Sequence, residues 1–210
     1  MNRFKVSTDP FHQQYVDIEP VRRLAGMASE ILGSERVLVR WQKYLENPVD
    51  MKNLSPAELE QQYINAINDY PCRFTGRAGG KLAELIASKS VESLAAMNCK
   101  LDFLGAKGVH IDPFGNIFSG TCSGIIIGNV NQTPLEDIWK QFDPRSSGLV
   151  SMLFNKGPCG LLEKPEKPGY KRKKNYAGKC HLCASIRQFF RDNGVEDSII
   201  GPAEYYNEMP

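Results

Sequence analysis

Apolar and polar residues alternate through Phe4-Lys5-Val6-Ser7-Thr8, the period of a short strand, and Asp9-Pro10 follows as a turn signal. From Val21 the period lengthens. Val21, Leu24, Ala25, Ala28, Ile31 and Leu32 recur at helical spacing until Gly33 stops them. Val37-Leu38-Val39-Arg40-Trp41 then reads as a buried strand. Ser55-Pro56-Ala57-Glu58 supplies an N-cap, a first-turn proline and a capping-box glutamate, which predicts a helix to about Asn68. A further helix is predicted from Gly79 through Ile86. This order predicts βα units with a parallel sheet over residues 1–95. Two strands are too few for a parallel sheet covered on both faces, so this half reads as part of something larger.

The pattern changes after Gly108. Val109-His110-Ile111-Asp112 alternates, Pro113-Phe114-Gly115-Asn116 turns, and Ile117-Phe118-Ser119 returns, which predicts a hairpin. Cys122 stands just beyond it. Ile125-Ile126-Ile127 forms a short apolar run closed by Gly128-Asn129. Thr133-Pro134-Leu135-Glu136 predicts a capped helix running through Ile138, Trp139 and Phe142. Gly157 to Gly178, with Pro158, Pro165 and Pro168, reads as a loop. After Cys180 and Cys183, Ala184 to Asp192 predicts a helix with Ile186, Phe189 and Phe190 inward and Gly194 as its stop. The expected fold is therefore α/β: a partial (βα) barrel segment at 1–95, then a small α+β cysteine-rich domain with a β-hairpin at 96–210.

Composition narrows the setting. The chain has 210 residues, 41% hydrophobic and 24% charged, with a formal net charge of +2. That balance argues against nucleic acid or a membrane surface as partner. The basic run Lys171-Arg172-Lys173-Lys174 has no interleaved aromatics and reads as a solvated loop. No apolar run approaches the roughly 18 residues of a membrane helix, and the start lacks the apolar stretch of a secretory signal. The expectation is a cytoplasmic, reducing setting, where six cysteines read as ligands or free thiols rather than disulfides.

Those cysteines carry the candidate chemistry. Cys180-His181-Leu182-Cys183 can place two thiolates on one metal centre, and the positive end of a following helix favours thiolate. Lys179 and Arg187 push the same way. Cys122 is the next ligand, and Cys99, ahead of the hairpin, is a better fourth than Cys159. Cys159 reads as an incidental small residue and Cys72 as a buried thiol. Four thiolates can hold zinc or a [4Fe–4S] cluster. One dyad joined by two single cysteines is more like a cluster site than the paired dyads of structural zinc. A thioredoxin-like reading needs a core strand before the dyad, where a basic, proline-rich loop stands instead. A c-type haem site is excluded because Ala184 occupies the histidine position.

With these residues the chain resembles the C-terminal portion of a radical SAM protein with a SPASM or twitch-type extension. One stretch of resemblance runs from Val109 through Asn116 and Cys122 to Ile127-Gly128-Asn129-Val130 and Leu135-Glu136-Asp137-Ile138-Trp139. The other is Lys179-Cys180-His181-Leu182-Cys183 with Ile186-Arg187. Val6 to His12 and Val37 to Trp41 resemble later strands of the radical SAM barrel. The spacing from Gly115 to Cys122 is longer than the family's. Its Cys-x-x-x-Cys-x-x-Cys motif, which binds and cleaves S-adenosylmethionine, is absent, as are the first barrel strands.

The resemblance implies an auxiliary [4Fe–4S] cluster on Cys99, Cys122, Cys180 and Cys183, with zinc the alternative metal. It implies no self-sufficient S-adenosylmethionine chemistry, unless a partner chain carries the missing N-terminal half. Asp9 and His12 follow a strand, where barrel enzymes place active-site groups, but turn and cap duties explain them at least as well. His110 is expected to pack in the core. Gly76-Arg77-Ala78-Gly79-Gly80 lacks the ending of a phosphate loop and reads as a helix entry.

Overall fold

A computed structural model of the chain describes residues 3–105, 108–146, 148–164, 169–195 and 198–206. It is mixed α/β, about half helical, with two small sheets. The chain divides into two compact units, Met1–Cys72 and Arg73–Pro210. Residues 73–95, expected with the first half, thus belong to the second unit.

In the first unit, strand β1 (Phe4–Ser7) leads through α1 (Pro10–Gln13) and α2 (Ile18–Leu32) to β2 (Val37–Arg40). The two strands pair in parallel, Phe4 opposite Val37 and Ser7 opposite Arg40. Asp9-Pro10 opens a helix instead of a plain turn. The Asp9 carboxylate accepts the His12 amide at 3.1 Å, and the fixed φ of Pro10 suits the first helical position. Helix α2 buries Ala25 and Ala28 but leaves Leu24, Met27 and Ile31 on its outer side, so the apolar pattern read there belongs to two faces. Strand β2 is likewise not buried: Leu38 and Arg40 are exposed.

Helix α3 (Gln42–Glu46) follows Trp41, a non-glycine residue at φ +69°. That conformation is costly for a bulky residue. The Trp41 ring nevertheless packs 4.4 Å from Tyr70, and its carbonyl accepts from the Thr8 hydroxyl at 3.0 Å. Helix α4 (Pro56–Asp69) has the full capping box, Ser55 and Glu58 satisfying each other's backbone amides.

The second unit starts with a 3₁₀ turn at Gly76–Gly79 and short helices α5 (Lys81–Leu85), α6 (Val91–Leu94) and α7 (Lys100–Leu104). The single helix expected from Gly79 to Ile86 is thus a 3₁₀ turn followed by one short α-helix. The hairpin is present as β3 (Val109–Ile111) and β4 (Asn116–Ser119), and β5 (Gly128–Asn129) extends it antiparallel. His110 is exposed on β3, so the expected core role fails; its partner across the hairpin is Phe118.

Helix α8 (Leu135–Gln141) begins after Pro134, with no side-chain cap, so Thr133 does not serve as N-cap. Helix α9 (Gly148–Lys156) had no clear sequence signal. The loop expected from Gly157 starts instead as a 3₁₀ helix, Pro158–Glu163. Its residues 165–168, with Pro165 and Pro168, lie outside the described residues. Helix α10 (Lys179–Asp192) starts before the cysteine dyad rather than after it, and α11 (Ala203–Tyr206) follows. The core of this unit joins Leu94, Phe103, Leu149, Leu153, Leu182 and Ile186 to Cys99 and Cys183. Burying each large aliphatic side chain contributes about 1.5–3 kcal/mol. Among the described residues no helix is long and apolar enough to cross a membrane.

Candidate metal centre

Three chain segments bring four cysteines to one cavity. Helix α10 carries Cys180 and Cys183 in its opening turns, where the amide groups of the first turn lack acceptors inside the helix. Cys99 precedes α7, its amide donating to the Leu153 carbonyl at 3.0 Å. Cys122 lies in the turn leaving β4, its amide donating to the Ser119 carbonyl at 3.1 Å. Two bonds tie α7 to that turn: Thr121 N donates to the Asp102 carbonyl at 3.1 Å, and the Ser119 hydroxyl donates to the Phe103 carbonyl at 2.6 Å. Cys99 and Cys122 are therefore held by a helix start and a strand exit.

Cys99, Cys122, Cys180 and Cys183 all line this cavity, together with Asp102, Lys179 and Arg187 among others. Cys99 and Cys183 are buried, Cys122 and Cys180 half-buried, and all four are free thiols. Burial pushes the Cys99 and Cys180 thiols up, and the neighbouring Cys183 sulfur adds to it. Burial likewise pushes Cys122 up to about 12, against the opposing pull of Arg187. Without a bound cation these three sulfurs are neutral thiols. Ligation would require their deprotonation, so metal uptake would release protons.

Among the described residues, no group of three or more His, Cys, Asp or Glu side chains is drawn together tightly enough to hold a metal ion. Tetrahedral zinc needs its donors about 2.3 Å from one centre. A cubane spreads its ligands, because each thiolate binds a different iron.

The remaining cysteines stand elsewhere. Cys159 sits in the 3₁₀ helix, its thiol 3.6 Å from the Val91 carbonyl, and does not line the cavity. Cys72 packs beside the Trp41, Tyr44 and Ala66 cluster of the first unit. Ahead of the dyad, Tyr176 makes an isolated bridge with Lys89, and among the described residues no core strand leads into it as a thioredoxin-like site would need.

Asp102 escaped sequence reasoning. It is buried, and it pairs with Lys179 at 2.5 Å and Arg73 at 3.4 Å. Its one legible signal is its place three residues after Cys99, on the same helical turn. Lys179 also donates to the Asn98 carbonyl at 2.7 Å, which fixes a cation at the cavity wall. Lys171, Arg172 and Lys174 of the basic run are exposed as expected; Lys173 is half-buried and pairs with Glu84 at 2.9 Å.

In the first unit Asp9 and His12 form a pair at 2.7 Å, Asp9 also accepting from the Ser7 hydroxyl at 2.9 Å. Asp9 is buried at the end of β1 and caps α1, the cap duty weighed for it above. No family model matches the chain, and neither a curated protein nor a solved structure is similar to it.

Proposed function

We propose that the second unit binds a [4Fe–4S] cluster through Cys99, Cys122, Cys180 and Cys183. In this reading the chain is the C-terminal part of a radical SAM-type protein, and the cluster is an auxiliary one. The observation that carries the proposal is the meeting of these four cysteines, and neither of the other two, around one cavity. The donor set fits the group: four sulfurs, a helix N-terminus behind two of them, and cations at Lys179 and Arg187 to offset a net negative cluster. When bound, the cluster supplies one-electron chemistry, substrate ligation or a brace for the fold. The chain's own residues would hold it and balance its charge.

Anaerobic reconstitution with iron and sulfide, followed by metal and sulfide analysis, tests this. The expected result is about four irons and four sulfides per chain, with an absorbance band near about 400 nm that Cys180→Ala and Cys183→Ala abolish. One zinc and no sulfide would establish a zinc-stabilised structural module in its place.

A second reading rests on the first unit. Its parallel sheet has two strands, with Leu38 exposed on β2, and helix α2 leaves an apolar stripe uncovered at Leu24, Met27 and Ile31. A parallel sheet is ordinarily buried on both faces. In this reading a partner chain completes the barrel and carries the Cys-x-x-x-Cys-x-x-Cys motif, and the pair cleaves S-adenosylmethionine. The coding sequence upstream is then expected to encode that motif; unrelated sequence there would count against it.

A further inference from the structure

Arg187 is the largest fully buried side chain among the described residues, 1% exposed, and it lines the four-cysteine cavity. One end of its guanidinium is committed. Nη1 donates to the Ser123 carbonyl at 2.9 Å and to the Tyr206 hydroxyl at 2.8 Å, and that hydroxyl donates to the Gly124 carbonyl at 2.7 Å. The rings of Tyr205 and Tyr206 each lie 5.7 Å from it. Gly124, at φ +78°, permits this approach: a Cβ there would sit 2.6 Å from Nη1. The turn after Cys122 and helix α11 therefore hold the charge in one place.

The other end is not committed. Nε is buried and has no hydrogen-bond partner among the described residues. A buried cation with an unused donor is expensive unless an anion faces it. Burial is the largest influence on its charge and opposes it; Tyr206, Cys183, Tyr205 and Cys122, two of them proposed ligands, favour it.

We propose that Arg187 is a positioning residue for the cluster, its Nε–H reserved for the cluster's sulfur and its fixed charge raising the cluster's reduction potential. This rests on the cluster reading above. A cubane with four thiolates is net negative, and each added electron makes it more so. A cation fixed in a low-dielectric wall therefore favours the reduced state. Lys179, already paired with Asp102, is less able to do this.

The test is an anaerobic dithionite titration of reconstituted wild type, Arg187→Lys and Arg187→Gln, followed by electron paramagnetic resonance, with iron and sulfide measured in each sample. In Arg187→Gln the ratio of reduced to oxidised cluster at a fixed potential is expected to fall at least tenfold, a shift of about 59 mV for one electron. Arg187→Lys is expected to fall between the two, since it keeps the charge and loses the planar donor. Equal potentials at equal cluster content would overturn the role of Arg187 alone. Absence of a cluster in wild type would overturn the cluster reading and this inference with it. Should Arg187→Gln not fold, wild type labelled with ¹⁵N at arginine decides. The Arg187 Nε–H resonance is expected to show a hyperfine shift on cluster assembly, and an unshifted resonance would overturn the proposal.

Discussion

The two units bury their apolar residues to different degrees. The second closes a continuous core from Leu94 to Tyr206 and places polar groups such as Asp102, His181 and Arg187 inside it. The first centres on Trp41, Tyr44 and Ala66, while α2 keeps Leu24, Met27 and Ile31 in solvent. The same kind of apolar periodicity thus specifies a finished core in one unit and a half-covered layer in the other. Stability and chemistry should concentrate in the second, and substitutions should show it.

The largest effect is expected at Gly157. Its φ is +66°, and a Cβ there would lie 1.8 Å from the Met97 carbonyl oxygen, so both strain and a backbone clash oppose any side chain. Gly157→Ala should cost about 3 kcal/mol or more of the second unit's stability. It should also disturb the approach to Cys99. Denaturant unfolding checks it; an unchanged midpoint would show that the backbone there yields. Leu153→Ala, at a fully buried position, should cost about 2–5 kcal/mol in the same unit. A smaller value would mean that the core around α9 collapses to fill the space.

The first unit offers a test by pH. Burial first, then the hydrogen bond and charge of Asp69, raise the Tyr44 phenol to about 12. An unfolded tyrosine ionises near about 10. The folded state holds this proton more tightly, so the contribution of Tyr44 is complete below that value and lost as pH rises toward 12. Alkaline titration followed by circular dichroism should therefore lose the first unit's signal over this range. Tyr44→Phe should remove that part of the pH dependence, and an identical alkaline profile in the variant would refute the assignment.

Smaller effects complete the contrast. Ser55→Ala removes the capping box of α4 and should cost about 1 kcal/mol. Ile31→Lys, at a position 76% exposed, should change stability by less than about 0.5 kcal/mol. A large loss there would mean that something covers the α2 stripe in solution.

Local signals translated well into local structure. Ser55-Pro56-Ala57-Glu58 became the capping box of α4, and the alternation around Pro113-Phe114-Gly115-Asn116 became the β3–β4 hairpin. Both depend on interactions within a few residues. The misreadings share the opposite cause. Asp9-Pro10 carries turn and helix-start chemistry alike, and the bond from the His12 amide to the Asp9 carboxylate decides between them. The apolar spacing of Ile186, Phe189 and Phe190 starts the predicted helix after the dyad, yet α10 includes both cysteines and packs Leu182, Cys183 and Ile186 into the core.

The candidate site divides the same way. Residue type and spacing alone singled out Cys180 and Cys183 as a dyad that can share one centre, since four residues suffice to fix that geometry. Position ahead of and just beyond the hairpin pointed to Cys122 and to Cys99 over Cys159. Tertiary structure then brought Cys99 and Cys122 to the cavity with the dyad and left Cys159 outside, the α7 start and the β4 exit being joined by bonds between residues far apart in sequence. It also made Arg187, in the sequence a basic neighbour of the dyad, into a buried cation with an unspent donor. Burial and partnership depend on what the rest of the chain places around a residue, and no local pattern encodes that.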